Sequence, residues 1–191
     1  MWIDLLQPVP VELTQPETPY PLGTLGNRMA LHSEESGLPE LKGVRIAFLS
    51  VGDDRGNPGN RGCRNAGNAF RKSFYPLYAG AWDLSLADVG HLPAGATPQD
   101  TGSALAGLCQ DLIQRNIIPY VLGGTQDLAY WMYRAYDSLE QSVNIGVVDN
   151  RIALGADETV LNADGFLGPI ITEQPYNLFN LSLIGLQAYF V

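Results

Sequence analysis

A chain of 191 residues with 46% hydrophobic content is long enough for one domain with a sizeable core. Eleven Lys and Arg against twenty Asp and Glu leave a formal charge of -9, which argues against a nucleic-acid or anionic-membrane surface, since both need clustered cations. The two cysteines, Cys63 and Cys109, form no CxxC pair, so a disulfide framework or a zinc site is not expected.

Residues 1–40 are rich in Pro, Glu, Thr and Gly and read as an irregular arm with one short helix near 28–32. The opening MWIDLLQPVP has no basic run and no long apolar core, so it does not read as a signal peptide. No stretch of the chain approaches the ~20 apolar residues of a membrane span, and a cytoplasmic location is expected. The domain proper, 41–191, starts with VRIAFLSVG at 44–52, an almost continuous apolar run of the kind that suits a parallel strand covered on both faces. The glycine-rich loop DDRGNPGNRGCRNAG covers 53–67. A helix is expected over 68–78 until Pro76 stops it, then a strand over 82–90.

Helical periodicity returns over 102–116 through Leu105, Leu108, Cys109 and Leu112. IPYVLGG is a strand, 126–140 a helix with Leu128, Trp131, Met132 and Ala135 on one stripe, and VNIGVVD at 143–149 a strand. A last strand is expected near 181–186. The apolar end of the sequence suggests an edge that more chain, or a partner, must cover. Strands alternating with helices imply βαβ units and a parallel sheet.

Three stretches carry chemistry-bearing residues. The loop at 53–67 combines glycines with Arg55, Asn60, Arg61 and Arg64, which could clamp a carboxylate or phosphate. The alternative is that Asp53, Asp54 and the arginines pair among themselves or across a subunit contact. VLGGTQD places Thr125, Gln126 and Asp127 at the carboxyl end of a strand, where α/β proteins hold their ligands. In structural terms, Thr125 suits an N-cap and Asp127 the positive end of the helix dipole. VNIGVVDNRIALG puts Asp149 and Arg151 at the end of the next strand. His32 and His91, the two histidines, have no ligand-spaced neighbours and read as surface or packing residues.

Taken in order, these stretches over 43–191 resemble the ureohydrolases: arginase, agmatinase and formimidoylglutamase. The first strand and loop resemble the family's "G-P-x-x-I-R" region, VLGGTQD its "L-G-G-D-H" turn, and VNIGVVDNRIALG its "V-x-x-D-A-H-x-D" strand end. The resemblance implies a three-layer α/β/α sandwich with a mainly parallel sheet, incomplete at the carboxyl end. It also implies homo-oligomers, a loop that lies over the substrate, and hydrolysis of amidino or formimino groups by two manganese ions sharing a hydroxide.

The ligand positions depart from that pattern. Thr125 stands where the family has aspartate, Gln126 and Arg151 where it has histidine, and Ala153 where it has a further aspartate; Asp149 is kept. A guanidinium ~4 Å from a dication would be repelled by about 8 kcal/mol at an effective dielectric of ~20. The expectation is therefore a degenerate manganese site with no metal bound, Arg151 paired to Asp149 in its place, and a non-catalytic binding or assembly role. The pocket, formed by Gln126, Asp127, Asp149 and Arg151, would take a small guanidino or carboxylate ligand. The alternative is an active amidino or formimino hydrolase that draws ligands from sequence after Val191.

Overall fold

The computed structural model describes residues 2–81, 85–139, 141–155, 161–187 and 189. Its centre is β2 (Ile46–Val51), where Ala47, Leu49 and Val51 have no exposed surface. Such a strand is apolar on both faces because both faces are covered. β2 pairs with β3 (Leu86–Leu92) on one side and with β4 (Ile118–Leu122) on the other, and a short β1 (Ala30–Leu31) adds to β3. The result is a parallel sheet in the order β1-β3-β2-β4. A separate parallel pair follows, β5 (Val143–Val148) with β6 (Leu178–Ile184). The α/β class and the parallel pairing match the expectation; the division into two sheets does not follow from the strand pattern.

Helices cover the four-stranded sheet on both faces. α4 (Pro98–Gln114) starts with a capping box, in which the Thr97 hydroxyl accepts from the Asp100 amide and the Asp100 carboxylate accepts from the Thr97 amide. Pro98 sits in the first turn, where its missing N–H costs nothing. The α4 stripe of Leu105, Leu108, Cys109 and Leu112 is buried against Leu49, Val51 and Val89. α5 (Leu128–Arg134) lies beside it and bridges two cores, Leu128 in the first and Tyr133 in a third with Phe166, Leu167 and Ile170. On the opposite face, α3 (Ala66–Phe74) lays Phe70 and Phe74 against Phe48. β5 and β6 carry α5 and α6 (Leu167–Thr172) on one face; Val148 and Ile184 on the other are 79% and 57% exposed.

The amino-terminal arm wraps the body. Its helices are α1 (Val11–Thr14) and α2 (Leu25–Arg28), earlier than expected, because residues 30–31 are taken by strand pairing with β3. Gln7 bridges His91 in both directions, at 2.8 and 2.9 Å. That approach needs Gly90, since a Cβ there would meet the Gln7 carbonyl. His32 is buried, with Nδ1 on the Val89 carbonyl at 2.9 Å, a packing residue. The expected strand start at 82–84 and helix end at 140 lie outside the described residues.

A buried ion pair holds α3 to the sheet. Arg71 is wholly buried, and all five of its N–H donors have acceptors: Asp88 twice at 2.8 Å, Gly90, Ser50 and Asn68. Asp88 also accepts from the Tyr75 hydroxyl and the Gly90 amide. Burial, then the neighbouring Asp88 charge, raises the Tyr75 phenol far above its ordinary range. Removing one partner leaves the other charge buried and alone, which costs about 3–5 kcal/mol. Asp88→Asn should lower the unfolding free energy in urea by that amount, while Asp100→Asn at the exposed cap should lose much less; equal losses in the two variants would contradict the network.

Candidate functional site

The strand carboxyl ends converge where β4 runs into Gly123 and Gly124, both at φ +75. Only glycine takes this conformation readily, and a Cβ on Gly124 would collide with Leu128. The bend delivers Gln126 to Asp149 at the end of β5. Gln126 Nε2 donates to Asp149 Oδ2 at 2.8 Å, and the backbone amides of Asn150 and Arg151 donate to Oδ1 at 2.6 and 3.3 Å. The Gln126 hydrogen bond comes first in holding the Asp149 carboxyl below its ordinary range; partial burial opposes it, and the two amides and the Arg151 charge add to it.

Gln126, Asp149 and Arg151 therefore meet, in a polar cavity of about 160 Å³ closed by Ile152, Ala153, Ala163 and Asp164. The expected pairing of Arg151 with Asp149 is corrected: the guanidinium turns to Asp164, 3.2 Å away. The backbone explains the choice. Gly155, at φ +71, packs on Gly165, which brings 164 alongside 151, while Asp149 is already taken by Gln126 and two amides.

Asp127 does not join the cavity. It is buried, takes the N-cap position of α5 itself in place of Thr125, and makes no side-chain cap bond. One of its oxygens, Oδ1, has no hydrogen-bond partner. Gly56 of the loop packs directly on that carboxylate, with no room for a Cβ. Burial, opposed by a hydrogen bond from Thr125 and helped by the Asp53 charge, raises the Asp127 carboxyl above its ordinary range.

The loop arginines pair inside the loop, as its alternative reading has it. Arg55 grips Asp53 through Nε and Nη2 at 3.0 and 2.6 Å, and Thr101 of α4 donates to the same carboxylate at 2.7 Å. Burial pushes the Asp53 carboxyl up, but these bonds outweigh it and hold it low. Arg61 and Arg64 reach Asp54 at 3.3 and 3.7 Å, and the Gly62 amide donates to it at 2.8 Å. Asn60 is exposed, and its backbone amide donates to the Asn57 carbonyl at 3.0 Å. The loop is nonetheless placed over the strand ends, because the Ala163 amide donates to the Gly56 carbonyl at 3.0 Å.

A second cavity, of about 250 Å³, lies between the arm and the ends of β2 and β3. Ser50 and His91 line it, with Ser50 Oγ 3.0 Å from His91 Nδ1. Ser50 is buried and also accepts from Arg71, so the pair belongs to the ion-pair network. Burial, then the Arg71 charge, lowers the His91 pKa. Sequence spacing could not bring Ser50 and His91 together; only the β2–β3 register does.

No family model and no curated protein matches this chain. Solved structures do. The Trypanosoma cruzi formiminoglutamase solved with Mn2+ shares 17% identity at a TM-score of 0.72, over 87% of this chain and 58% of that one. Formimidoylglutamase from Bacillus subtilis gives 14% and 0.67 over 87% and 55%, and arginase from Bacillus subtilis 16% and 0.63 over 75% and 56%. This is the fold of the arginase, agmatinase and formiminoglutamase superfamily. The chain spans little more than half the length of these structures.

A manganese pair needs several hard oxygen or imidazole donors converging. Among the described residues, no three His, Cys, Asp or Glu side chains are so placed. At the strand ends Asp149 has its oxygens engaged, Gln126 presents N–H rather than a lone pair, and Arg151 brings a positive charge. These residues do not fit a dication. Likewise, among the described residues no helix is long and apolar enough to cross a membrane.

The buried Asp127 carboxylate yields a pH prediction. A carboxyl whose folded pKa is raised costs stability when ionised, and the cost disappears as pH falls through that pKa. Asp127→Asn should therefore raise the melting temperature at pH 7. The gain should shrink steadily between neutral pH and the ordinary carboxylate range; a gain that grows on acidification in melting curves would contradict the burial argument.

Proposed function

We propose that this chain is a divergent ureohydrolase whose binuclear manganese site is degenerate, and that it has a non-catalytic binding role. The observation that carries this reading is the hydrogen bond from Gln126 to Asp149, which puts a donor where a metal would need an acceptor. Beside it, the Arg151–Asp164 pair offers one cation and one anion at the mouth of a small polar cavity. Such a pair suits a small guanidino ligand, which would replace Arg151 at Asp164, or a carboxylate, which would replace Asp164 at Arg151. The exposed apolar side chains of Val148, Phe179 and Ile184 on β5 and β6 support an assembly role as a homo-oligomer.

Two titrations on the full-length, metal-free protein test this. Calorimetry with manganese should show no binding below about millimolar concentration, whereas two ions bound per chain would restore the hydrolase reading and call for assays of urea and formamide release. L-arginine and L-glutamate should then be titrated while the Gln126 side-chain amide is followed by NMR. At least one should shift it, and Arg151→Ala should change that affinity about tenfold or more. Silence with both ligands would remove the binding role.

A further inference from the structure

The second cavity, about 250 Å³, is enclosed by three parts of the chain. Pro8 and Pro10 of the arm form one side, Gly52 and His91 close it at the strand ends, and Arg64 and Asn68 supply the wall near the start of α3. It shares no residue with the cavity around Asp149. Although the protein has a formal charge of -9, no acidic side chain lines this cavity among the described residues.

Its walls present donors instead. Arg71 Nη1 donates to Ser50 Oγ at 2.8 Å, so the Ser50 hydroxyl proton goes elsewhere. The acceptors within reach are His91 Nδ1 at 3.0 Å and the Gly90 carbonyl at 3.4 Å. The shorter contact takes the proton, since 3.4 Å is beyond the ordinary O–H···O range. His91 Nδ1 is then an acceptor and Nε2 carries the ring proton. Burial, then the Arg71 charge, keeps that ring neutral at pH 7. A Cβ on Gly52 would stand 2.7 Å from His91 Nε2, so glycine at this position keeps the space before the nitrogen open. Asn68 turns its Oδ1 to Arg71 at 3.1 Å, which leaves its amide N–H groups for another partner. Arg64 has one long contact, from Nε to Asp54 at 3.7 Å, and among the described residues nothing engages its Nη groups. Asp54 is already held by Arg61 and the Gly62 amide.

A guanidinium, an imidazole N–H and a side-chain amide, with no carboxylate opposing them, suit an oxyanion. The volume lies below the roughly 300–1,000 Å³ of drug-sized sites, so the occupant is small. We propose that this cavity binds the carboxylate or phosphate group of a small organic anion, held by Arg64 and His91 Nε2, with Pro8 and Pro10 against the remainder of the molecule. The arm is already tied here by the paired backbone bonds between Gln7 and His91, so that wall is preformed. Arg64 then clamps an anion beside the arm, away from Asp149 and Arg151. The inference stands on its own residues and is independent of the ligand reading above.

The test is titration of the full chain with sodium phosphate and, separately, sodium acetate at constant ionic strength, read at the His91 ring nitrogens by NMR. The chain has two histidines, which keeps the assignment simple. At least one anion should shift Nε2 with a Kd below about 10 mM, and the tighter of the two names the class of anionic group. Arg64→Ala should weaken that binding about tenfold. Arg61→Ala removes a similarly exposed charge from the same Asp54 but lies outside the cavity, and should change the affinity less than about twofold. Silence at His91 with both anions overturns the proposal. So do equal losses in the two arginine variants, which would assign the effect to general surface charge.

Discussion

Arg71 sets the terms for the rest of the molecule. A guanidinium with no exposed surface is tolerable only when every donor is matched, and here all five are. The acceptors come from β2, β3 and the turn of α3 itself, so the ion pair fixes how α3 meets the sheet. A buried pair of this kind is weak proof of net stability, since its desolvation is large. Its contribution is position. The start of α3 anchors one end of the loop at 53–65, and the Asp53–Arg55–Thr101 cluster anchors the other to α4. Between those anchors Gly56 is pressed onto Asp127 and bonded to Ala163. The loop thus reaches the strand ends as backbone, while its arginines stay occupied by Asp53 and Asp54.

Much of the fold was readable as pattern. The apolar run of β2, the stripe of α4 and the alternation of strand and helix depend on local period, and period survives in the sequence. The failures lie where the deciding partner is distant. Arg71 looks like an ordinary polar residue near a helix end, yet Asp88 set among the apolar residues Leu86, Ala87 and Val89 was a signal that a buried cation must answer it. β1 was hidden inside the arm because two residues carry no periodicity. α6 is a six-residue helix with Pro169 inside it, too short and too irregular to mark itself.

The candidate site was legible in part for the same reason. Gly123, Gly124, Gln126 and Asp149 sit at strand ends, which the strand pattern locates, and the structure brings Gln126 and Asp149 together. Asp164 could not be found, because its position beside Arg151 depends on two glycines, Gly155 and Gly165, packing face to face. Asp127 was assigned to the helix dipole, which is the right position in sequence. Burial under Gly56 leaves one of its oxygens, Oδ1, without a hydrogen-bond partner instead.

The gap between the sheets and the polar cavity are neighbours, and this constrains both. β4 and β5 end at Gln126 and Asp149, and the hydrogen bond between those side chains spans the carboxyl end of the slot. For a manganese pair to form at that place, further ligands would have to converge, the Gln126–Asp149 bond would have to break and the Arg151 charge would have to be outweighed. Recognition of a small polar ligand asks for none of these, since the donor and acceptor pairs it would use are already set.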